Sequence, residues 1–75
     1  MTLDEFVAAF AAEFEDTPAE MFQADTNFNE LEEWGSLVAL SIISMVDEQM
    51  DKTLTGAEIR RSKTIRDLYE LLNNK

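Results

Sequence analysis

Gly35-Ser36-Leu37-Val38-Ala39-Leu40-Ser41-Ile42-Ile43-Ser44-Met45-Val46-Asp47-Glu48-Gln49-Met50 is the stretch that decides how this chain folds. Set out at about 100° per residue, it separates into two faces. Val38, Ala39, Ile42, Ile43, Met45, Val46 and Met50 fill one broad arc, the side expected to meet a core. Leu37, Leu40, Ser41, Ser44, Asp47, Glu48 and, just beyond, Asp51 fill the other. The stretch therefore reads as a helix from Gly35-Ser36 to about Met50. Its uncharged part, Trp34 to Val46, is thirteen residues long with serines in it, too short to span a bilayer. Leu37 and Leu40 on the acidic face admit two readings. They are single surface leucines, which need no explanation, or a small apolar contact patch rimmed by acids.

Similar signals recur outward from this helix. Upstream, Thr2-Leu3-Asp4-Glu5 has the form of a capping box. Leu3, Phe6, Val7, Phe10 and Phe14 follow at three- and four-residue spacing, so a first helix is expected from Leu3 to about Glu15. Thr17-Pro18-Ala19-Glu20 repeats the box with Pro at the first helical position, predicting one short turn that carries Met21 and Phe22. From Gln23 to Gly35 periodicity fades, and a long ordered loop is expected, anchored by Phe28 and Leu31. Downstream, Thr55-Gly56-Ala57-Glu58 starts a short helix to Arg61. Thr64-Ile65-Arg66-Asp67 opens a final helix with Ile65, Leu68, Tyr69, Leu71 and Leu72 as its stripe, and Asn73-Asn74-Lys75 is expected to fray. The expected fold is all-α. It is a small four-helix bundle of three longer helices and one short one, with a long loop between the first two main helices, in a single domain over residues 1–75.

Composition narrows the function. A chain of 75 residues that is 45% hydrophobic and 29% charged is an ordinary globular mix. Sixteen acidic residues against six basic ones leave a net charge of −10. Such a surface repels nucleic-acid phosphates, so nucleic-acid binding is not expected. The charge is uneven: five of the six bases lie in residues 59–75, an arrangement that folds a basic end back on an acidic body. There is no Cys and no His, which removes thiolate chemistry, the commonest acid/base group and the usual zinc ligands. An enzyme is not expected. The N-terminus carries acid where a signal peptide needs base. With no membrane span either, the expectation is a cytoplasmic monomer.

Two places offer chemistry. Asp25-Thr26-Asn27-Phe28-Asn29 matches the first ligand positions of a calcium-binding helix–loop–helix. The match then fails, because Glu30 stands where the sharp turn needs Gly and Ser36 where a bidentate Glu is needed. No metal site is expected there. The other place is Ser36, at the start of the long helix. It is either an N-cap serine, a common structural role, or an attachment point for a phosphate-linked group, which a helix start favours through free amides and the macrodipole.

The order Glu33-Trp34-Gly35-Ser36-Leu37, a long apolar helix, Asp47-Glu48 and Met50, then Leu54, Ile59, Thr64-Ile65 and Leu68, resembles an acyl carrier protein over essentially the whole chain. The family's modification site is the Ser of an Asp-Ser-Leu motif, often preceded by an aromatic residue or Leu. By that resemblance Ser36 carries covalent 4′-phosphopantetheine, Leu37 is the motif Leu and Trp34 the aromatic. The resemblance implies loading by a phosphopantetheinyl transferase (a holo-acyl-carrier synthase) and service to acyl-transferring and synthase enzymes. The cargo it implies is an acyl group of fatty acid or polyketide type held as a thioester. A peptidyl or aminoacyl carrier is the alternative, as is an acidic interaction module without cofactor. Two departures stand out. Gly35 replaces the motif Asp, and the acids common just after the Ser are here Val38 and Ser41. Partner recognition is therefore expected to lean on Leu37, Leu40, Asp47, Glu48 and Asp51. Phe28, Ile42, Val46, Leu54, Ile59, Ile65 and Leu68 are expected to line a cleft that opens for an acyl chain.

Overall fold

Three side-chain caps start three of the four helices. In a computed structural model describing residues 1–75, helix α1 (Leu3–Ala11) begins where Thr2 and Glu5 exchange hydrogen bonds, Glu5 N–H to the Thr2 hydroxyl at 3.1 Å and Thr2 N–H to the Glu5 carboxylate at 2.7 Å. The same reciprocal pair, Thr55 with Glu58, starts α3 (Gly56–Arg61), and Thr64 with Asp67 starts α4 (Ile65–Asn73). Each pair satisfies two amides that a helix start otherwise leaves open. Helix α2 (Ser36–Met50) is the longest at 15 residues and has no side-chain cap. It stops at Asp51, whose backbone turns left-handed at φ 55°, the one non-glycine residue to do so. There is no strand; the molecule is an all-helical bundle of three longer helices and one short one.

The core is built on rings. Phe6, Phe10, Phe14, Phe22 and Phe28 are buried with Ile42, Met45 and Val46 of α2, Leu54, and Ile59, Ile65, Leu68 and Leu72 of the last two helices. Phe10 is the centre: its ring lies 5.6 Å from Phe14, 5.7 Å from Phe28, and 6.2 Å from both Phe22 and Trp34. Val38, Ala39, Ile43 and Met50 complete the apolar arc of α2 as partly buried neighbours.

The connection between α1 and α2 is ordered by side chains rather than by regular structure. It holds two single 3-10 turns, Ala19–Met21 and Phe28–Glu30. Thr26, Asn27 and Phe28 are clipped to the start of α4, with Phe28 N–H bonded to Lys63 carbonyl and Ile65 N–H to Thr26 carbonyl, each at 3.3 Å. Phe28 is fully buried and Leu31 packs partly buried on the core.

Three local expectations are corrected. Helix α1 ends at Ala11, not near Glu15: Glu13 and Phe14 N–H bond only three residues back, to Phe10 and Ala11, and the amides of Glu15, Asp16 and Thr17 turn away to the Glu33 carboxylate. Thr17 forms no capping box, because its hydroxyl donates to Glu33 at 2.8 Å, and Pro18 sits extended before the turn instead of inside it. The C-terminal tail is tied rather than frayed. Lys75 pairs with Glu58 at 2.9 Å and also donates to the Thr53 carbonyl. With the 3.0 Å pair Arg66–Asp25, this is how the basic end folds back on the acidic body.

Candidate functional site

Ser36 is the first residue of α2, and Gly35, not Ser36, is its N-cap. The serine is therefore not capping its own helix, and its hydroxyl is exposed and makes no hydrogen bond. Gly35 is extended, with φ −177° and ψ −175°, and a Cβ added there would meet nothing within 4 Å. The first turn of α2 has neither a side-chain cap nor an acidic residue. Its leading amides are open donors at the positive end of a 15-residue helix dipole. A phosphodiester on Ser36 Oγ would meet those donors, so the residues present fit the group.

The other serines are placed differently. Ser62 is buried and donates to the Glu58 carbonyl at 3.0 Å, and Ser41 donates back to the Leu37 carbonyl at 3.2 Å. Ser44 is exposed but lies in the middle of α2, where the amides are already bonded within the helix.

Ser36 stands on a ridge between two grooves. One, of about 490 Å³, is lined by Glu13, Glu15 and Glu33 on the side of the α1–α2 connection. The other, of about 480 Å³, runs between α2 and α3 and is lined by Trp34, Ala39, Leu40, Ile43, Ile59 and Arg60. Of the seven residues expected to line an acyl cleft, only Ile59 borders this groove; Phe28, Ile42, Val46, Leu54, Ile65 and Leu68 are packed inside the core.

The expected docking residues are brought only partly together. Leu37 is 82% exposed and Leu40 60% exposed, far more than core side chains of the same kind. They share one shallow surface with Glu48. Asp47 faces a separate hollow with Ile43, Lys52 and Leu54, and Asp51 is the left-handed residue that ends the helix. The polar side chains of the calcium-like stretch are engaged by other groups of the chain. Asp25 pairs with Arg66, Asn27 accepts from Asn29 N–H at 3.1 Å, and Asn29 donates to Ser62 carbonyl at 3.4 Å. No three carboxylates converge there as metal ligands.

Two residues beside Ser36 carry roles that sequence reasoning missed. The Trp34 ring is inserted among Phe10, Phe14 and Phe28, 4.7 Å from the last. Glu33 reaches the turn just after α1. Its Oε2 accepts Glu15 N–H at 2.8 Å, and its Oε1 accepts the amides of Asp16 and Thr17 at 3.0 Å and the Thr17 hydroxyl at 2.8 Å. These donors, the Glu15 amide foremost, hold the Glu33 carboxyl below the usual carboxylate range. Nothing near Glu33 in sequence signals this, since its partners are 16 to 18 residues away.

A helical bundle that offers a free serine hydroxyl at an open helix start, and little other chemistry, has the form of a covalent carrier. A family model described as a phosphopantetheine attachment site matches residues 5–72. The chain belongs to that family of phosphopantetheine-bearing carrier proteins, whose members hold 4′-phosphopantetheine covalently on a serine and interact with phosphopantetheinyl transferases and acyl-handling enzymes. Comparison with the curated proteins and with the solved structures found no match. No helix is long and apolar enough to cross a membrane.

Proposed function

We propose that Ser36 is the attachment serine and that residues 1–75 act as one carrier domain for acyl groups of fatty acid or polyketide type. The observation that carries this reading is the Ser36 hydroxyl itself, exposed and free of hydrogen bonds at the uncapped start of α2. In loading, Ser36 Oγ forms a bond to the phosphorus next to the pantetheine of coenzyme A. The phosphoanhydride bond to adenosine 3′,5′-bisphosphate breaks, and the hydroxyl proton leaves to a base of the transferase. The α2 amides and dipole favour the resulting phosphodiester anion. The bound group supplies a thiol that holds cargo as a thioester, so the chain itself needs neither Cys nor His and acts as carrier rather than catalyst.

Leu37, Leu40 and Glu48 form the face offered to the transferase and to acyl-handling partners, with Asp47 and Asp51 adding charge along the same helix. Acids at such a rim act mainly on encounter rate and orientation. For an apolar cargo the groove beside Trp34 and Ile59 is the entrance, and widening it would move α3 away from α2 and uncover Ile42, Val46 and Leu54. The protein works as a cytoplasmic monomer in this reading. Mass spectrometry of the chain purified from its host tests it: a carrier gains one phosphopantetheine on Ser36, and the attached acyl or aminoacyl group reports the cargo. A chain of unmodified mass, also refused by a transferase in vitro, would instead leave an acidic interaction module.

A further inference from the structure

Ser36 is delivered by a segment with little backbone support. Residues 31–35 donate only two backbone hydrogen bonds, Leu31 N–H to Phe28 at 3.2 Å and Trp34 N–H to Leu31 at 3.0 Å. Gly35 joins the segment to α2 through its carbonyl alone, which accepts Ala39 N–H at 2.9 Å, and has no side chain to add a second tie. What fixes the segment is a pair of adjacent side chains, both anchored at the C-terminal end of α1. Trp34 is anchored among the core rings, and Glu33 is fastened by four hydrogen bonds of 2.8–3.0 Å to the turn after α1. Glu33 makes no hydrogen bond to the Ser36 hydroxyl, although the two residues border one groove. Its role toward Ser36 is mechanical.

We propose that Glu33 is a positioning residue for the modification of Ser36, a clamp between the turn after α1 and the segment that presents the hydroxyl. The proposal rests on the reading of Ser36 as the attachment serine. Phosphoryl transfer needs the attacking oxygen in line with the leaving group, and that requirement makes a loosened Ser36 costly. With Glu33 released, the segment leading into Gly35 keeps only the Trp34 ring and its two backbone bonds to hold it. Fewer carriers bound to the transferase then sit in the productive geometry, which lowers kcat rather than raising KM.

The test is steady-state loading by a purified phosphopantetheinyl transferase with coenzyme A, comparing wild type, Glu33→Ala, Glu33→Gln, Thr17→Val, Glu32→Ala and Ser36→Ala. Glu33→Ala should lower kcat about tenfold, with Glu33→Gln and Thr17→Val, which keep part of the clamp, in between. Glu32 is exposed and makes no side-chain hydrogen bond, so Glu32→Ala removes the same charge and should alter KM alone. Amide hydrogen exchange at Glu15, Asp16 and Thr17 should quicken in Glu33→Ala. A wild-type kcat in Glu33→Ala overturns the proposal; if that variant does not fold, a wild-type kcat in Thr17→Val does so. The reading beneath it fails separately. Loading of Ser36→Ala would remove the site itself, whereas blocked loading there with wild-type kcat in the Glu33 variants would remove only the clamp.

Discussion

With Ser36 taken as the attachment serine, Gly35 stands where the resemblance calls for Asp, and its conformation decides what an aspartate would do there. The φ of −177° is extended backbone open to any residue, and the space around an added Cβ is empty. An aspartate at position 35 would sit at the N-cap of a helix without a side-chain cap, where it is better than glycine by a few tenths of a kcal/mol, and its charge suits the dipole. Gly35→Asp should therefore raise the melting temperature slightly and raise kcat/KM for loading, because a carboxylate beside Ser36 gives a basic transferase surface a charge-assisted contact. Loading that slows while the melting temperature rises would mean that Gly35 is matched to its own transferase. A second residue sets the limit of tolerance in the core. Phe10 touches five other aromatic rings at its centre. Phe10→Ala should cost about 3–5 kcal/mol, against a total of about 4–11 kcal/mol for a chain of this length. Circular dichroism should show it largely unfolded near 37 °C, and a cooperative melt close to wild type would contradict that.

Among the elements, α2, which begins with the proposed attachment serine, is the least well terminated. Its C-terminus ends in Asp51, which places a β-carbon in the left-handed region and a negative charge at the negative end of the dipole. Asp51→Gly should stabilise the domain by about 0.5–1 kcal/mol, read as a higher denaturant midpoint at unchanged slope; a lower midpoint would contradict the assignment of strain. Helices α2, α3 and α4 were legible in the sequence because their signals are local: a period of apolar residues, and Thr boxes that close within four residues. The end of α1 was not. Alanines 8, 9, 11 and 12 keep helix propensity high past Ala11, and the amides that would continue the helix from Glu15 are taken by Glu33, far along the chain. Thr17 was misread for the same reason. Its box satisfies the pattern, but a carboxylate already bonded to three neighbouring amides wins the hydroxyl. Ser36 was legible as the candidate site through its motif, whereas its freedom from capping became visible only when Gly35 took the N-cap position.

For the molecule as a whole, charge sets the working range. Glu5, Glu33, Glu58 and Asp67 all have their carboxyls lowered, by the Thr2 amide, the Glu15 amide, the Lys75 ammonium and the Thr64 amide respectively. The unfolded chain therefore binds protons that the folded one refuses. Their stabilisation is present above the ordinary values, 4.5 for Glu and 3.8 for Asp, and is lost as pH falls through the lowered ones. Melting temperature should hold from neutrality down to about pH 5 and then fall; a melting temperature that stays level or rises to pH 3 would contradict this. The three helix starts and the α1–α2 connection should loosen together in acid, since each depends on one of these carboxylates. The account stands or falls on Ser36. Intact-mass and peptide-mass measurement after incubation with coenzyme A and a phosphopantetheinyl transferase tests it most directly. One phosphopantetheine, found on the peptide containing Ser36 and absent from Ser36→Ala, is the predicted result. A label on Ser41, Ser44 or Ser62, or a label that survives Ser36→Ala, would contradict it.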